Sequence, residues 1–146
     1  MLVFGVSIFC SCAKKSNLST QNAFLLPGKW LVASDTSFQY TGNTLTSTYL
    51  IVGINIPYYQ FNADGTGTSK NNLGPPDDVL QFSYTVSNNI ISFKYPDQII
   101  AGHEYYANNV SARILNPTPT TVLLSFDGYA NPIIGFGSKD LLYLRK

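Results

Sequence analysis

Gln81-Phe82-Ser83-Tyr84-Thr85-Val86-Ser87 is the stretch that decides how the chain folds. Successive side chains of an extended chain point to opposite faces, so Phe82, Tyr84 and Val86 share one side and the polar residues the other. A slip of one residue would turn every ring to water, which fixes the register of such a strand over a core. Asn88-Asn89 turns the chain. Ile91, Phe93 and Tyr95 then alternate with Ser92 and Lys94, forming a second strand that pairs with the first, and Pro96-Asp97 ends it.

The same two-residue period recurs in both directions. Downstream, Val110, Ala112 and Ile114 alternate with Ser111 and Arg113; Val122, Leu124 and Phe126 follow the Asn116-Pro117 break, and Leu142 and Leu144 close the chain. Upstream, Tyr59 and Phe61 lead into Asp64-Gly65, a strong hairpin signal between two β segments. A calcium loop there lacks the alternating oxygen ligands it needs. Pro27-Gly28 opens a strand from about Gly28 to Tyr40 through Trp30, Leu31 and Val32, with a turn at Thr41-Gly42-Asn43. The run from Leu45 to Pro57 is apolar and β-branched without clean alternation, and reads equally as a ladder strand or as a flap.

No segment carries the 3.6-residue apolar period of a packed helix. The chain is therefore expected to be all-β, an antiparallel up-and-down meander of about eight strands, closed into a barrel so that no edge is left exposed. Its 146 residues suit one core. Lys+Arg 9 nearly balance Asp+Glu 8, so no strong field steers nucleic acid, and a nucleic-acid partner is excluded.

Residues 1–11 and the cysteine after them read differently. Met1 to Phe9 is apolar apart from Ser7, too short to span a bilayer, and fits the core of an export signal. Cys10 and Cys12 have no other cysteine to pair with, and a bridge between them would be strained. Ile8-Phe9-Cys10-Ser11-Cys12-Ala13-Lys14-Lys15 resembles a bacterial lipoprotein processing site, with Cys12 as the acylated residue. The resemblance implies membrane lipid as a partner, held through at least two acyl chains. Ala13 after the cysteine resembles lipoproteins of the outer membrane, and the periplasm-facing side is the expectation. Residues 12–26 read as a flexible linker, and residues 27–146 as the barrel domain.

Gly28-Lys29-Trp30 resembles the Gly-x-Trp motif of lipocalins, and more closely the lipocalin-like domains of Gram-negative lipoproteins. The resemblance continues through Phe61 to Gly67, the Tyr84-Thr85-Val86 and Ile90-Ile91-Ser92-Phe93 pair, and Leu141 to Arg145. It implies that Trp30 forms the barrel floor with Arg145 stacked across it, a contact of about 0.5–2 kcal/mol. An ordinary core tryptophan would be buried in the same place.

Chemistry finds little support in the residues. His103 is the sole histidine, and Glu104 beside it points to the other face of a strand, so the two form no dyad. A three-histidine zinc site is impossible, no phosphate loop or Ser/His/Asp arrangement stands out, and neither a metal nor a cofactor is expected. The chain is read as non-enzymatic. The expected inward set is Trp30, Val32, Tyr59, Phe61, Phe82, Tyr84, Val86, Ile91, Phe93, Tyr95, Val110, Ala112, Ile114, Val122, Leu124, Phe126, Leu142 and Leu144. Eight strands enclose a space that side chains fill or that holds one small ligand. In the second case Tyr59, Phe61, Phe82, Tyr84, Phe93, Tyr95, Ile114, Leu124 and Phe126 line a cavity for a small hydrophobic molecule. In the first, the protein is an envelope interaction or structural module, with Tyr49 to Ile56 and Pro75 to Val79 as partner sites.

Overall fold

The computed structural model describes residues 25–51, 57–70, 78–131 and 136–146. The leader, Cys12, the linker to Phe24, and the loop positions 52–56 and 75–77 lie outside these residues. The strands are β1 (Gly28–Thr41), β2 (Thr44–Ile51), β3 (Tyr58–Phe61), β4 (Thr66–Lys70), β5 (Leu80–Ser87), β6 (Ile90–Tyr95), β7 (Gln98–Ile100), β8 (His103–Tyr105), β9 (Asn108–Leu115), β10 (Thr121–Asn131) and β11 (Phe136–Arg145).

β1 is the seam. Along one edge, β3 covers Gly28 to Leu31 and β2 covers Asp35 to Thr41, so β2 and β3 are two halves of one descending strand. Between them the Val32 amide donates to the Pro57 carbonyl at 2.9 Å. Along the other edge β11 pairs from Leu31 to Thr41, and this pairing shuts the sheet into an antiparallel eight-stranded meander barrel. The ambiguous run after Thr44 is thus a ladder strand as far as Ile51. β7 and β8 form a separate two-stranded hairpin in the connection from β6 to β9.

Turn residues explain the tight corners. Asn88 and Asn89 both have positive φ, 50° and 61°, as a type I′ hairpin requires. Gly65 sits at φ 85°, and the preceding Asp64 carboxylate accepts from the Thr66 amide at 2.9 Å and its hydroxyl at 2.7 Å. Exposed Asp64 is held below the usual carboxylate range, by the Thr66 hydroxyl first and its amide second.

Inward alternation builds the core as expected. Trp30, Phe61, Phe82, Tyr84, Ile91, Phe93, Ala112, Ile114, Val122, Leu124, Leu142 and Leu144 are buried, with Val32, Tyr59, Val86, Tyr95 and Phe126 packed against them. Val110 is half-buried outside that cluster. Leu26, read as the last linker residue, joins the core: its carbonyl accepts from the Trp30 indole N–H at 2.6 Å. The indole N–H has no strand partner, and the turn before Pro27 supplies one.

The barrel is not uniformly tall. Among the described residues, β2, β1, β11 and β10 stay paired past the core, as far as Thr44, Thr41, Phe136 and Asn131, whereas the β9–β10 pairing ends at Ala112 and Phe126. A four-stranded wall therefore stands above one side of the open end, and the β7–β8 hairpin above the other.

Candidate functional site

At the closed end, Lys146 rather than Arg145 lies over Trp30, with its ammonium 4.7 Å from the ring centroid and donating to the Leu25 carbonyl at 3.3 Å. The expectation for Arg145 fails by one residue. Leu144 is fully buried, so Arg145 points to the opposite, solvent face, and Lys146 beyond the strand end folds back under the barrel.

Above this floor the expected cavity residues come together as a stack of rings in mutual contact. Phe61 meets Tyr84 at 5.1 Å and Phe82 at 5.7 Å between centroids; Phe82 meets Phe93 at 5.3 Å and Tyr95 at 5.5 Å; Phe93 meets Phe126 at 6.3 Å. These separations are those of packed edge-to-face and offset aromatic pairs. Gly67 makes the packing possible. A Cβ there would lie 2.4 Å from the Gln60 carbonyl oxygen and 2.5 Å from the Phe82 ring.

Polar groups begin where the rings end. Tyr59 and Tyr95 are hydrogen-bonded through their hydroxyls, and Ser69 Oγ lies 3.4 Å from the Tyr95 hydroxyl. Burial above all, then Tyr95 and Asp35, pushes the Tyr59 hydroxyl far above its ordinary range. Asp35 faces inward because β1 bulges between Val32 and Ser34, which sets Asp35 opposite buried Leu142. One Asp35 carboxylate oxygen is buried without a hydrogen-bond partner, and the carboxyl is raised by burial and then by Asp140.

The raised wall has a different exterior. β2 forms its side, and no other strand among the described residues pairs with the outer edge of β2. Leu45 and Leu50, 49% and 62% exposed, lie on that strand, while half-exposed Tyr49, opposite Ser37, turns to its inner face. An open edge beside apolar side chains is a template for strand addition.

Opposite the wall, the β7–β8 hairpin is fastened to the barrel by polar groups. The Gln98 side-chain amide pairs with both backbone groups of Gln81, at 2.7 and 2.8 Å, as a strand would. The Asp97 carboxylate accepts from the Ala107 amide at 2.7 Å. Asp78, with its side chain 3% exposed, accepts from the Tyr105 hydroxyl at 2.5 Å and lies 3.1 Å from His103 Nδ1. The Tyr105 hydroxyl is held above its ordinary range chiefly by that carboxylate. Between hairpin and barrel lies a cavity of about 280 Å³, lined by Tyr59, Tyr95, Tyr105, Tyr106, Leu80 and Asn108 among others.

His103 is exposed and Glu104 faces away from it, accepting from the Tyr106 hydroxyl at 3.0 Å. Asp78 is a partner for His103 that the sequence reading did not supply. Among the described residues, no group of three or more His, Cys, Asp or Glu side chains is placed to hold a metal. The hairpin itself was also missed. Its signal was Ala101-Gly102 between Gln98-Ile99-Ile100 and His103-Glu104-Tyr105, a two-residue glycine turn flanked by strand formers, with φ 51° and 88°.

No protein-family model matches the chain, and no curated protein matches it. Among solved structures, it is similar to crystal structures of the vaccine antigen Transferrin Binding Protein B from Haemophilus parasuis Hp5, one of a double mutant and one of a single mutant. Each aligns at 12% identity and a TM-score of 0.42 over 82% of this chain. The chain spans about a quarter of the length of those proteins, 26% in both cases.

Proposed function

We propose that the chain is a non-enzymatic, envelope-tethered interaction module of lipocalin-like build. Its barrel is filled by its own rings, and its partner is a protein segment that adds to the raised wall along β2. The observation that carries this reading is the wall: hydrogen-bonded sheet runs beyond the core and, among the described residues, ends in an open edge bearing Leu45 and Leu50. A hydrophobic guest inside the barrel would have to part rings already in contact. Support for the tether comes from the leader, where Cys12 follows an apolar run, and acylation there would hold the domain to outer-membrane lipid, on the periplasmic side.

A photo-cross-linking residue at Leu50, compared with one at exposed Ile90 on the opposite wall, tests the docking edge in cells of the native host. The expected result is one adduct of defined mass from Leu50 and none from Ile90, abolished by Thr48→Lys beside it. Equal adducts from both positions, an adduct of two identical chains, or a lipid extracted at one per purified chain would each overturn the proposal. Cys12→Ser is expected to release the chain from the membrane fraction; retention there would sink the tether.

A further inference from the structure

Beyond partner docking, we infer that the cavity beneath the β7–β8 hairpin is a binding site for a small organic cation of the alkylammonium class. Four of its lining residues are the tyrosines Tyr59, Tyr95, Tyr105 and Tyr106, and no lysine or arginine lines it. Tyr59 and Tyr95 are themselves packed against Phe61, Phe82 and Phe93, which leaves Tyr105 and Tyr106 as the rings available to a cation, and aromatic rings are the general device for holding quaternary ammonium groups.

The hydroxyls strengthen the choice. Tyr105 and Tyr106 donate to Asp78 and Glu104, at 2.5 and 3.0 Å, and a phenol that donates to a carboxylate has a more electron-rich ring. Asp78 adds a second, independent sign. It is nearly fully buried, with one carboxylate oxygen shared by the Tyr105 hydroxyl and His103 Nδ1 and the other without a hydrogen-bond partner, behind the Tyr105 side of the cavity.

Two other ligand classes fit less well. A saccharide needs free donors and acceptors, whereas Gln98 is engaged with Gln81, Ser69 with Tyr95, and the Tyr105 and Tyr106 hydroxyls with carboxylates. An anion would find no lysine or arginine in the lining to pair with. The volume of about 280 Å³ accommodates a trimethylammonium group with a short substituent.

The test is calorimetric titration of the purified full chain with tetramethylammonium, choline, and the neutral tert-butyl isostere of choline. Both cations are expected to bind, the isostere at least about tenfold more weakly, since it keeps the shape and loses the charge. Tyr106 is 77% exposed, so Tyr106→Ala leaves the fold intact and is expected to weaken the cations about tenfold or more. Tyr106→Phe retains a ring and most of the affinity. Leu50→Lys, on the docking edge, leaves cation binding unchanged, which separates this site from the partner surface. Equal binding of cation and isostere, no binding of either cation, or full affinity in Tyr106→Ala would each overturn the inference.

Discussion

The lower barrel and the raised wall share three strands and one hydrogen-bond ladder, yet their interiors differ completely. Low on β1 the inward residues are Trp30 and Val32; above the bulge they are Asp35 and, two residues on, Ser37. On β11 the corresponding change is from Leu144 and Leu142 to Asp140. Backbone pairing therefore continues where burial stops. The lesson is that the ladder holds a sheet together but the core decides where a barrel ends. A sheet that outruns its core leaves edges, and here the edge carries the exposed leucines.

Substitutions on the two sides of that boundary should separate by several-fold in stability. Trp30→Ala removes the largest fully buried side chain and the floor contact with Leu26 and Lys146; a loss of about 3–5 kcal/mol is expected in urea unfolding. Leu50→Ala on the wall should stay within about 0.5 kcal/mol of the parent. Comparable losses at both sites would mean that the wall belongs to the core. Gly67→Ala is the next largest. The Gln60 carbonyl belongs to the paired strand and cannot move aside like a side-chain tip, so about 1–3 kcal/mol should be lost, with the Phe82 ring displaced in near-ultraviolet dichroism.

Much of the lower barrel was legible because its strands alternate cleanly and its corners carry Asp64-Gly65 and Asn88-Asn89, residues that tolerate positive φ. Sequence reasoning placed Phe82, Tyr84, Phe93, Ile114 and Leu124 inside, and they are inside. What escaped it depends on position in space. Leu26 is buried beside Trp30, whose indole N–H donates to its carbonyl, a contact that no sequence period signals. Lys146 replaces Arg145 over the ring because alternation fixes the strand but not the residue beyond its end. The inward turn of Asp35 rests on a bulge that no residue type announces, and the height of the wall on where the β9–β10 pairing ends, at Ala112 and Phe126. The β7–β8 hairpin is three residues on each side, too short for a period, and its anchors on Gln81 and Asp78 are far away in sequence.

The hairpin sharpens the contrast, since it stands at the open end yet is fastened by a buried group. Asp78→Ala takes the acceptor from the Tyr105 hydroxyl and the partner from His103. A loss of about 1 kcal/mol is expected, together with faster amide exchange confined to residues 98–105. Uniformly faster exchange across the barrel would show that the hairpin and the core open as one unit.

The smallest effect lies on the boundary itself, at Asp35. Burial and then Asp140 raise its carboxyl in the folded chain, so the folded state binds this proton more tightly than the unfolded one. The stabilisation linked to that proton is fully present below the unfolded carboxylate range and is lost as the pH rises through the raised folded value. Above it, the folded chain carries a carboxylate with one buried, unpartnered oxygen. Asp35→Asn keeps the shape and removes the charge. It should therefore unfold at higher urea than the parent at neutral pH, with the gap closing as the pH falls below the ordinary carboxylate range. A gap that stays constant with pH would trace the effect to packing, and would place Asp35 with the core below it instead of with the polar wall above.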